Sequence, residues 1–330
     1  MIAWGDCYCE EKPALFWQQE LVKNCFMSTS RIEKSTPISL ISPTPDIVYH
    51  MEFDRYIQGF VAYTAEHALM TGNGTTTHVI AGNSAQIGYK EGVGADARFN
   101  RVLSFAQISE KLVIVADLRN HCLRLIDRTT NNTSEFTGQC ESRGYENGRP
   151  GLFAGPWSVV IDKRDKYQLF IVDRYNKAVR TVNVISRVVQ TLVESNSFFA
   201  IRGITQEEKS GDLYVTADNA VYKIAYTQGT MKLISGSPGT SGYMDSTLLN
   251  SKFDFPGHLI FITPKTLLIA DDDNDKLRLV HMNSDKVTTL NVTNSLDTPN
   301  SLLLTNNSLY VGQLGKIFQC MCEFYSIFLT

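Results

Sequence analysis

Four aspartates recur at the ends of apolar segments, and their carboxylates are the first groups in this chain that could do chemistry. They are Asp117, Asp173, Asp218 and Asp271, separated by 45 to 56 residues. A ring of carboxylates could hold a metal ion, but aspartate also accepts backbone N–H bonds in turns. Because a catalytic residue usually occurs once and not in every repeat, we interpret these aspartates as structural, each bonded to the turn that follows it.

The most acidic segment of the chain begins at the last of these aspartates and reads DDDNDK. Asp271, Asp273 and Asp275 match the opening of a calcium-binding loop. However, Lys276 stands where that loop needs glycine, and Met282 stands where it needs a bidentate glutamate. We therefore predict a solvated hairpin tip and no metal site.

Signatures of known catalytic machinery are missing from the sequence. It contains no HExxH pair of zinc ligands, no GxSxG nucleophile turn and no GxGxxG loop after a strand. We predict no catalytic residues and no cofactor. CxC pairs near the two ends are too closely spaced for a typical zinc site.

The elements that must position these groups come from an internal repeat. Four segments consist of an apolar strand ending in aspartate, a short polar turn and a second strand that contains a basic residue. They are LVIVADLRNHCLRLID, LFIVDRYNKAVRTVNV, DLYVTADNAVYKIAY and LLIADDDNDKLRLVHM. Weaker copies, GFVAYTAEHALM and SLYVGQLGKIFQC, bring the number of hairpins to six.

Long loops containing Gly-Tyr precede three of the hairpins, and short VTTL-like strands close the units. The loops read GYKEGVGADARFN, GYENGRPGLF and GYMDSTLLNSKF. Each unit has room for four short strands, and cores such as LVIV are apolar on both faces. These features predict an all-β, six-bladed β-propeller with four-stranded antiparallel blades, whose last blade is completed by an N-terminal segment such as PISLIS.

Segments such as VADLRNHCLRLID, preceded by GYKEGVGADARFN, resemble NHL repeats. The resemblance covers about residues 37–322 and is most specific for the second, third and fifth units. It implies a six-bladed ring that acts as a binding module. We expect the ring to occupy 35–330, after an extension at 1–34 with a short helix over 13–26. The sequence also looks like a fragment of a longer chain.

Composition bounds the function classes. The net charge of −3 argues against nucleic acid as a partner, and no apolar run is long enough for a membrane span. Cys122 and Cys140 could form a disulfide or remain buried thiols, and Cys7, Cys9 or Cys25 could join Cys320 or Cys322. Sequons occur at Asn73, Asn131, Asn132, Asn291 and Asn306. Together these features favour a secreted, disulfide-bonded glycoprotein, with a cytoplasmic protein as the alternative.

The turns between the second and third strands keep the same place in each unit but differ in chemistry. In a propeller these turns share one rim with the long loops, and loops on a rigid scaffold are where recognition is expected. The predicted rim residues are Arg119, Asn120, His121, Arg174, Tyr175, Asn176, Asp272 and Asp273. We therefore expect a non-catalytic module that binds a protein or peptide through this rim.

Two other functions remain open from the sequence. Trp157, Arg202 and His258 are predicted to face the central channel, where propeller lyases and esterases hold a divalent cation. A metal-dependent enzyme is therefore the first alternative. Binding of RNA, known in some NHL domains, is the second, but Asp272 and Asp273 offset the rim arginines.

Overall fold

The computed structural model describes residues 8–10, 48–57, 61–72, 76–292, 295–304, 308–313 and 316–321. These residues form six antiparallel sheets. Four 3-10 turns accompany them, at Gly94–Asp96, Leu118–Asn120, Arg174–Asn176 and Asp272–Asn274. The predicted six-bladed, all-β propeller is confirmed. The helix expected over 13–26 and the PISLIS segment lie outside the described residues.

We number the sheets as blades I to VI, in chain order. Blade I consists of β2 (Met51–Phe53), β3 (Val61–Ala65), β4 (Ala68–Gly72) and β5 (Thr77–Gly82). Blade II consists of β7 (Val102–Gln107), β8 (Leu112–Asp117), β9 (Cys122–Asp127) and β10 (Asn132–Thr137). A short strand, β6 (Gly92–Val93), adds to the outer edge of blade II by pairing with β10.

Blades III to V repeat the same four-stranded order. Blade III consists of β11 (Pro156–Ile161), β12 (Gln168–Asp173), β13 (Ala178–Asn183) and β14 (Val189–Glu194). Blade IV consists of β15 (Ile204–Gln206), β16 (Leu213–Ala217), β17 (Ala220–Ile224) and β18 (Met231–Gly236). Blade V consists of β19 (Pro256–Thr263), β20 (Thr266–Asp271), β21 (Lys276–His281) and β22 (Lys286–Leu290).

The two ends of the chain meet in blade VI. Its strands are β23 (Ser301–Leu304), β24 (Ser308–Gln313), β25 (Lys316–Met321) and β1 (Tyr8–Glu10). Strand β1 lies at the outer edge, antiparallel to β25, with Cys9 opposite Cys320. Three residues of the segment that we expected to precede the ring therefore lie in its last blade. Cys7, Cys25 and Cys322 lie outside the described residues.

Six separate apolar clusters hold the ring together, one at each junction between neighbouring blades. At the junction of blades II and III, for example, Ile114 and Ala116 pack with Phe153, Val159 and Ile171. The middle strand β8 is buried on both faces from Val113 to Asp117, because each blade lies between two others. The cluster that joins blades VI and I closes the circle.

No helix in the part of the chain that the structure describes is long and apolar enough to cross a bilayer. Cys122, at the start of β9, forms a disulfide with Cys140 in the loop after β10. Of the two alternatives left open by the sequence, the structure therefore contains the disulfide.

Candidate functional site

One end of the ring gathers the turns between second and third strands and the long loops between blades. Backbone hydrogen bonds join each turn to the preceding long loop: Arg119 N–H to Asn100 O, Tyr175 N–H to Ala154 O and Asp273 N–H to Asp254 O. We call this end the upper rim. The predicted rim residues all lie on it, but the structure gives them different tasks.

Blades II, III and V share a buried set of an aspartate, an asparagine and an arginine, which we call the clasp. In blade III, Asp173 Oδ1 accepts the N–H of Ala154 at 2.8 Å. Asp173 Oδ2 accepts Asn176 Nδ2 at 2.7 Å and Arg180 Nη1 at 2.9 Å. The same bonds join Asp117, Asn120 and Arg124 in blade II and Asp271, Asn274 and Arg278 in blade V.

The clasp arginine ties the Gly-Tyr loop to its blade. Arg180 donates to the carbonyl oxygens of Leu152 and Glu146, at 3.0 and 2.7 Å. Its guanidinium lies between two rings, with Cζ 4.8 Å from the centroid of Tyr145 and 5.5 Å from that of Phe153. The Gly-Tyr tyrosines thus pack on the clasp arginines of their own blade. Phe153 also packs against Ile114 and Ala116 of the preceding blade.

These contacts give Asp117, Asp173 and Asp271 a role in the fold, but the prediction of their partners was wrong: the backbone N–H groups come from the preceding long loop, and the following turn contributes only an asparagine side chain. Asp117 and Asp271 also bond to backbone 17 residues earlier in the chain. Burial raises the pKa of both carboxyls to about 6, which is still below 7, so the ionised form predominates at pH 7. Asp218 differs from the other three, because it lies in a two-residue turn with φ +47° and has no equivalent clasp.

Asn120 and Asn176 of the predicted rim set belong to the clasps. Asn120 is 3% exposed, and its amide nitrogen donates to Asp117 and to the carbonyl oxygen of Gly88. Asn176 makes the equivalent bonds to Asp173 and Gly144. Because these amide groups already bond to the fold, we do not retain either residue as a ligand contact.

His121 also has a structural task, as part of a repeated bond that we call the latch. Its Nδ1 accepts the N–H of Gly155, which lies at the start of the next blade, at 3.1 Å. The acceptors at the equivalent positions of other blades are His67 Nδ1, Asn219 Oδ1 and Asp275 Oδ1. Each latch therefore joins a rim turn of one blade to the loop that leads into the next.

Of the remaining predicted rim residues, Arg119 and Asp273 are exposed, whereas Arg174 meets side chains from blades III to V at the mouth of the central channel. Arg174 stacks on Trp157, with Cζ 3.9 Å from the ring centroid, and lies 5.9 Å from Phe255. The guanidinium of Arg202 packs on Phe255 and lies 5.9 Å from Trp157. We call these four residues, together with Tyr175, the arginine–aromatic cluster.

Tyr175 extends this cluster towards the outside of the rim. Its ring lies over Gly155, where a Cβ atom would come within 2.6 Å of the ring and the backbone has φ +75°. The side chain is 48% exposed, and Arg143 lies 5.4 Å from its ring centroid. A side chain at residue 155 would displace the tyrosine, so glycine here lets the ring lie against the backbone of the loop.

Within the cluster, Arg202 is neutralised and Arg174 is not. Arg202 is 3% exposed and donates to Phe255 O at 2.7 Å and to Asp272 Oδ2 at 3.3 Å. Burial lowers the pKa of Arg202 to about 9 and raises that of Asp272 to about 6, so both groups are charged at pH 7. Asp272 is therefore part of an internal ion pair, whereas Asp273 is exposed.

Arg174 is half-buried, and its Nη1 atom is buried without a hydrogen-bond partner. No carboxylate among the described residues lies within ion-pair distance of it. Burial lowers the pKa of this guanidinium, and the positive charge of Arg101 acts in the same direction. Arg101 itself donates to the hydroxyl of Tyr49 at 2.9 Å and has a buried Nε without a partner.

Below the cluster the channel narrows to a cavity of about 20 Å³, enough for roughly one water molecule. Trp157, Arg202 and His258, the three channel residues expected from sequence, all line it, together with Tyr49, His50, Leu103, Ser158, Gly203, Gly257 and Asn300. The polar groups that face the channel are therefore close together, and they leave little free space between them for a ligand.

The two channel histidines lie edge to face, with ring centroids 5.3 Å apart. His258 Nδ1 accepts the N–H of Leu302 at 3.0 Å, so the neutral ring carries its proton on Nε2. The ring is partly exposed towards the channel, and its desolvation there lowers its pKa to about 3, with His50 acting in the same direction. A ring with one nitrogen protonated and the other bonded to backbone has no lone pair left for a metal ion.

Sequence reasoning missed Arg101, Tyr49, Phe255 and His50. Arg101 and Phe255 occupy the same place in their repeats, two residues after the phenylalanine of the Gly-Tyr loop, as Gly155 does in blade III. All three residues have a positive φ, between 55° and 75°. Alignment of the repeats on that phenylalanine could have marked the position. Tyr49 and His50 belong to blade I, whose repeat is weak.

Comparison with known proteins supports the fold and leaves the family open. No family model matches the chain. The protein SUPPRESSOR OF QUENCHING 1, chloroplastic, of Arabidopsis thaliana is 35% identical over 86 residues, which are 24% of this chain and 8% of that protein. The chain therefore matches only a small part of this relative's length.

Several solved structures share the architecture at low sequence identity. An auxiliary nutrient binding protein from Bacteroides ovatus aligns with a TM-score of 0.65 at 11% identity, over 84% of this chain and 70% of that one. A gluconolactonase from Xanthomonas campestris gives 0.61 at 7% identity, over 87% and 89%. Virginiamycin B lyase from Staphylococcus aureus gives 0.57 at 9% identity, over 84% and 96%. Both binding proteins and enzymes thus use this fold.

Proposed function

We propose that the chain is a non-catalytic recognition module that binds a peptide segment of a partner protein across the arginine–aromatic cluster. The observation that carries this proposal is the cluster itself. It presents Trp157, Tyr175, Phe255 and Arg174 together on the upper rim of a rigid ring. Tryptophan, tyrosine and arginine are the residue types that most often dominate the energy of protein interfaces.

The surrounding fold supports this function, because it holds the cluster in place before any ligand arrives. The clasps and latches order the loops from which the cluster projects. A preformed surface loses less conformational entropy on binding than a flexible one, so more of its contact energy appears as affinity.

A metal-dependent enzyme in the channel is less consistent with the geometry. The lone pair of His258 Nδ1 already accepts a backbone hydrogen bond, and the cavity beside it has room for about one water molecule. Binding of RNA is also less consistent, since Asp272 and Asp273 lie on the same rim as the arginines. A polyanion would meet these carboxylates along with the guanidinium groups.

We also propose that blades II, III and V are NHL-type repeats and that the chain functions in an oxidising compartment. The shared clasp and Gly-Tyr loop support the first assignment. The disulfide and the exposed sequon residue Asn131 support the second. Intact-mass analysis of the protein secreted from eukaryotic cells, with and without glycan removal, tests the compartment. Free thiols at Cys122 and Cys140 in that material would overturn it.

Selection from a displayed peptide library, with the whole chain immobilised, tests the binding function. Enriched peptides are synthesised, and their affinities are measured by fluorescence polarisation for wild type, Tyr175→Ala and Tyr167→Ala. Tyr167 is a matched control on the opposite end of the ring: it is 44% exposed and has Lys166 5.0 Å from its ring centroid.

We expect Tyr175→Ala to weaken binding about tenfold or more, as for a typical interface anchor, and Tyr167→Ala to change it less than twofold. Failure to enrich any peptide, or equal effects of the two substitutions, would refute binding through this rim.

A further inference from the structure

We infer that the bound peptide is anchored by a carboxylate, received by Arg174 with the support of Arg101; this inference rests on the proposed peptide-binding function. Nothing in the fold requires Arg174 to be charged. Unlike the clasp arginines, its side chain makes no hydrogen bond to any described residue, and its main contact is the stack on Trp157. Its charge is therefore available to a ligand.

The cost of leaving this charge unpaired is the physical argument for an anionic partner. A half-buried guanidinium with one fully buried nitrogen has lost part of its hydration and gained no counter-ion in return. The positive charge of Arg101 adds repulsion, as the lowered pKa of Arg174 reflects. A bound anion would supply the missing counter-ion and would offset the repulsion between the two arginines.

The neighbouring residues favour a carboxylate over other anions. A planar guanidinium fork matches the two oxygens of a carboxylate, and stacking on Trp157 fixes the plane of that fork. On the blade V side, the carboxylates of Asp254, Asp272 and Asp273 limit the excess of positive charge. A group with a single negative charge therefore suits this rim better than a phosphate with two.

Two peptide groups carry such a charge, an acidic side chain and a free C-terminus, and the experiment separates them. For each peptide enriched in the selection described above, one set of variants changes every Asp or Glu to Asn or Gln, and another has an amidated C-terminus. Affinities are measured for wild type, Arg174→Gln and Arg164→Gln. Arg164 is the control, since it is exposed and stacks on Tyr226 at 4.7 Å on the opposite end of the ring.

We expect one carboxylate of the peptide to be essential. Its neutralisation should weaken binding to wild type and to Arg164→Gln tenfold to a hundredfold, but should weaken binding to Arg174→Gln less than twofold. Near-UV circular dichroism checks that Arg174→Gln keeps the wild-type fold. If every carboxylate can be neutralised without loss while Tyr175→Ala still weakens binding, the carboxylate anchor is wrong and the binding function stands. If phosphoserine in place of the acidic residue binds more than tenfold tighter, the anion is a phosphate and the inference is also wrong. If no peptide is enriched, the binding function fails, and the inference fails with it.

Discussion

Loss of one clasp arginine should show how much the buried ion pairs stabilise the ring. In Arg180→Met the guanidinium bonds to Asp173, Leu152 O and Glu146 O disappear, while an apolar chain of similar length remains. The carboxylate of Asp173 is 0% exposed and loses its only ion-pair partner among the described residues. Removal of one partner from a buried pair typically costs about 3 to 5 kcal/mol.

The size of the ring converts this cost into a shift of melting temperature. With an unfolding entropy of about 2.1 cal/mol/K per residue, a ring of about 290 residues has an entropy of unfolding near 0.6 kcal/mol/K. A loss of 3 to 5 kcal/mol therefore lowers Tm by about 5 to 8 °C. Differential scanning calorimetry measures this shift, and Arg164→Met, an exposed arginine on the opposite end of the ring, should lower Tm by no more than about 2 °C.

A second substitution tests whether the lost stability arises from the unpaired charge. In the double variant Asp173→Asn with Arg180→Met, no buried charge remains, and the asparagine oxygen can still accept the N–H of Ala154. We expect the double variant to melt at least 2 °C above Arg180→Met alone. A Tm of Arg180→Met within 1 °C of wild type, or a double variant that loses the sum of both single losses, would refute the role assigned to the clasp.

Three further predictions concern the channel, a latch and the disulfide. Burial lowers the pKa of His258 to about 3 in the folded protein. As the pH falls below about 6.5, the histidine is therefore protonated in the unfolded chain before it is protonated in the folded one. The stability that His258 contributes is thus lost between pH 6.5 and 3. We therefore expect the free energy of unfolding, measured by urea titration, to fall by about 1 kcal/mol less per pH unit for His258→Asn than for wild type between pH 6 and 4. The same dependence on pH in both proteins would contradict this. His121→Asn should keep most of the stability that the Gly155 latch contributes, whereas His121→Ala should lower the free energy of unfolding by about 1 kcal/mol, as thermal denaturation can test. Equal losses in the two variants would show that the hydrogen bond accepted from Gly155 does not stabilise the fold. Reduction of Cys122–Cys140, which closes a loop of 18 residues, should lower the free energy of unfolding by about 3 kcal/mol; an unchanged urea midpoint in dithiothreitol would contradict this.

The sequence predicted the ring because every blade repeats a local pattern. Apolar strands such as LVIV, the terminal aspartate and the basic residue in the next strand are all visible in the sequence, and in blades II, III and V they form strands and clasps. Asp218 makes no equivalent bonds to the described residues, whereas Asp117, Asp173 and Asp271 are bonded within the fold. The backbone N–H groups that these carboxylates accept, however, belong to the preceding long loop, which comes next to the aspartate only in the folded blade.

The candidate site was harder to predict, because its members come from different blades. Arg174 and Tyr175 were chosen for their residue types, and Trp157 and Arg202 as candidates to face the channel. No sequence pattern indicated that Phe255 would stand between the two arginines, or that Arg101 would approach Arg174. Such contacts depend on the curvature of the ring and not on the repeat itself.

The closure of blade VI has a consequence for how a cell makes this protein. Strand β1 precedes blades I to V in the chain, and its partner β25 follows them. Blades I to V can therefore assemble during translation, whereas the outer edge of β25 has to find a strand that was made much earlier. Until β25 has been made, β1 stays unpaired, so blade VI is the last blade to be completed and its strand edges are exposed to aggregation for longest.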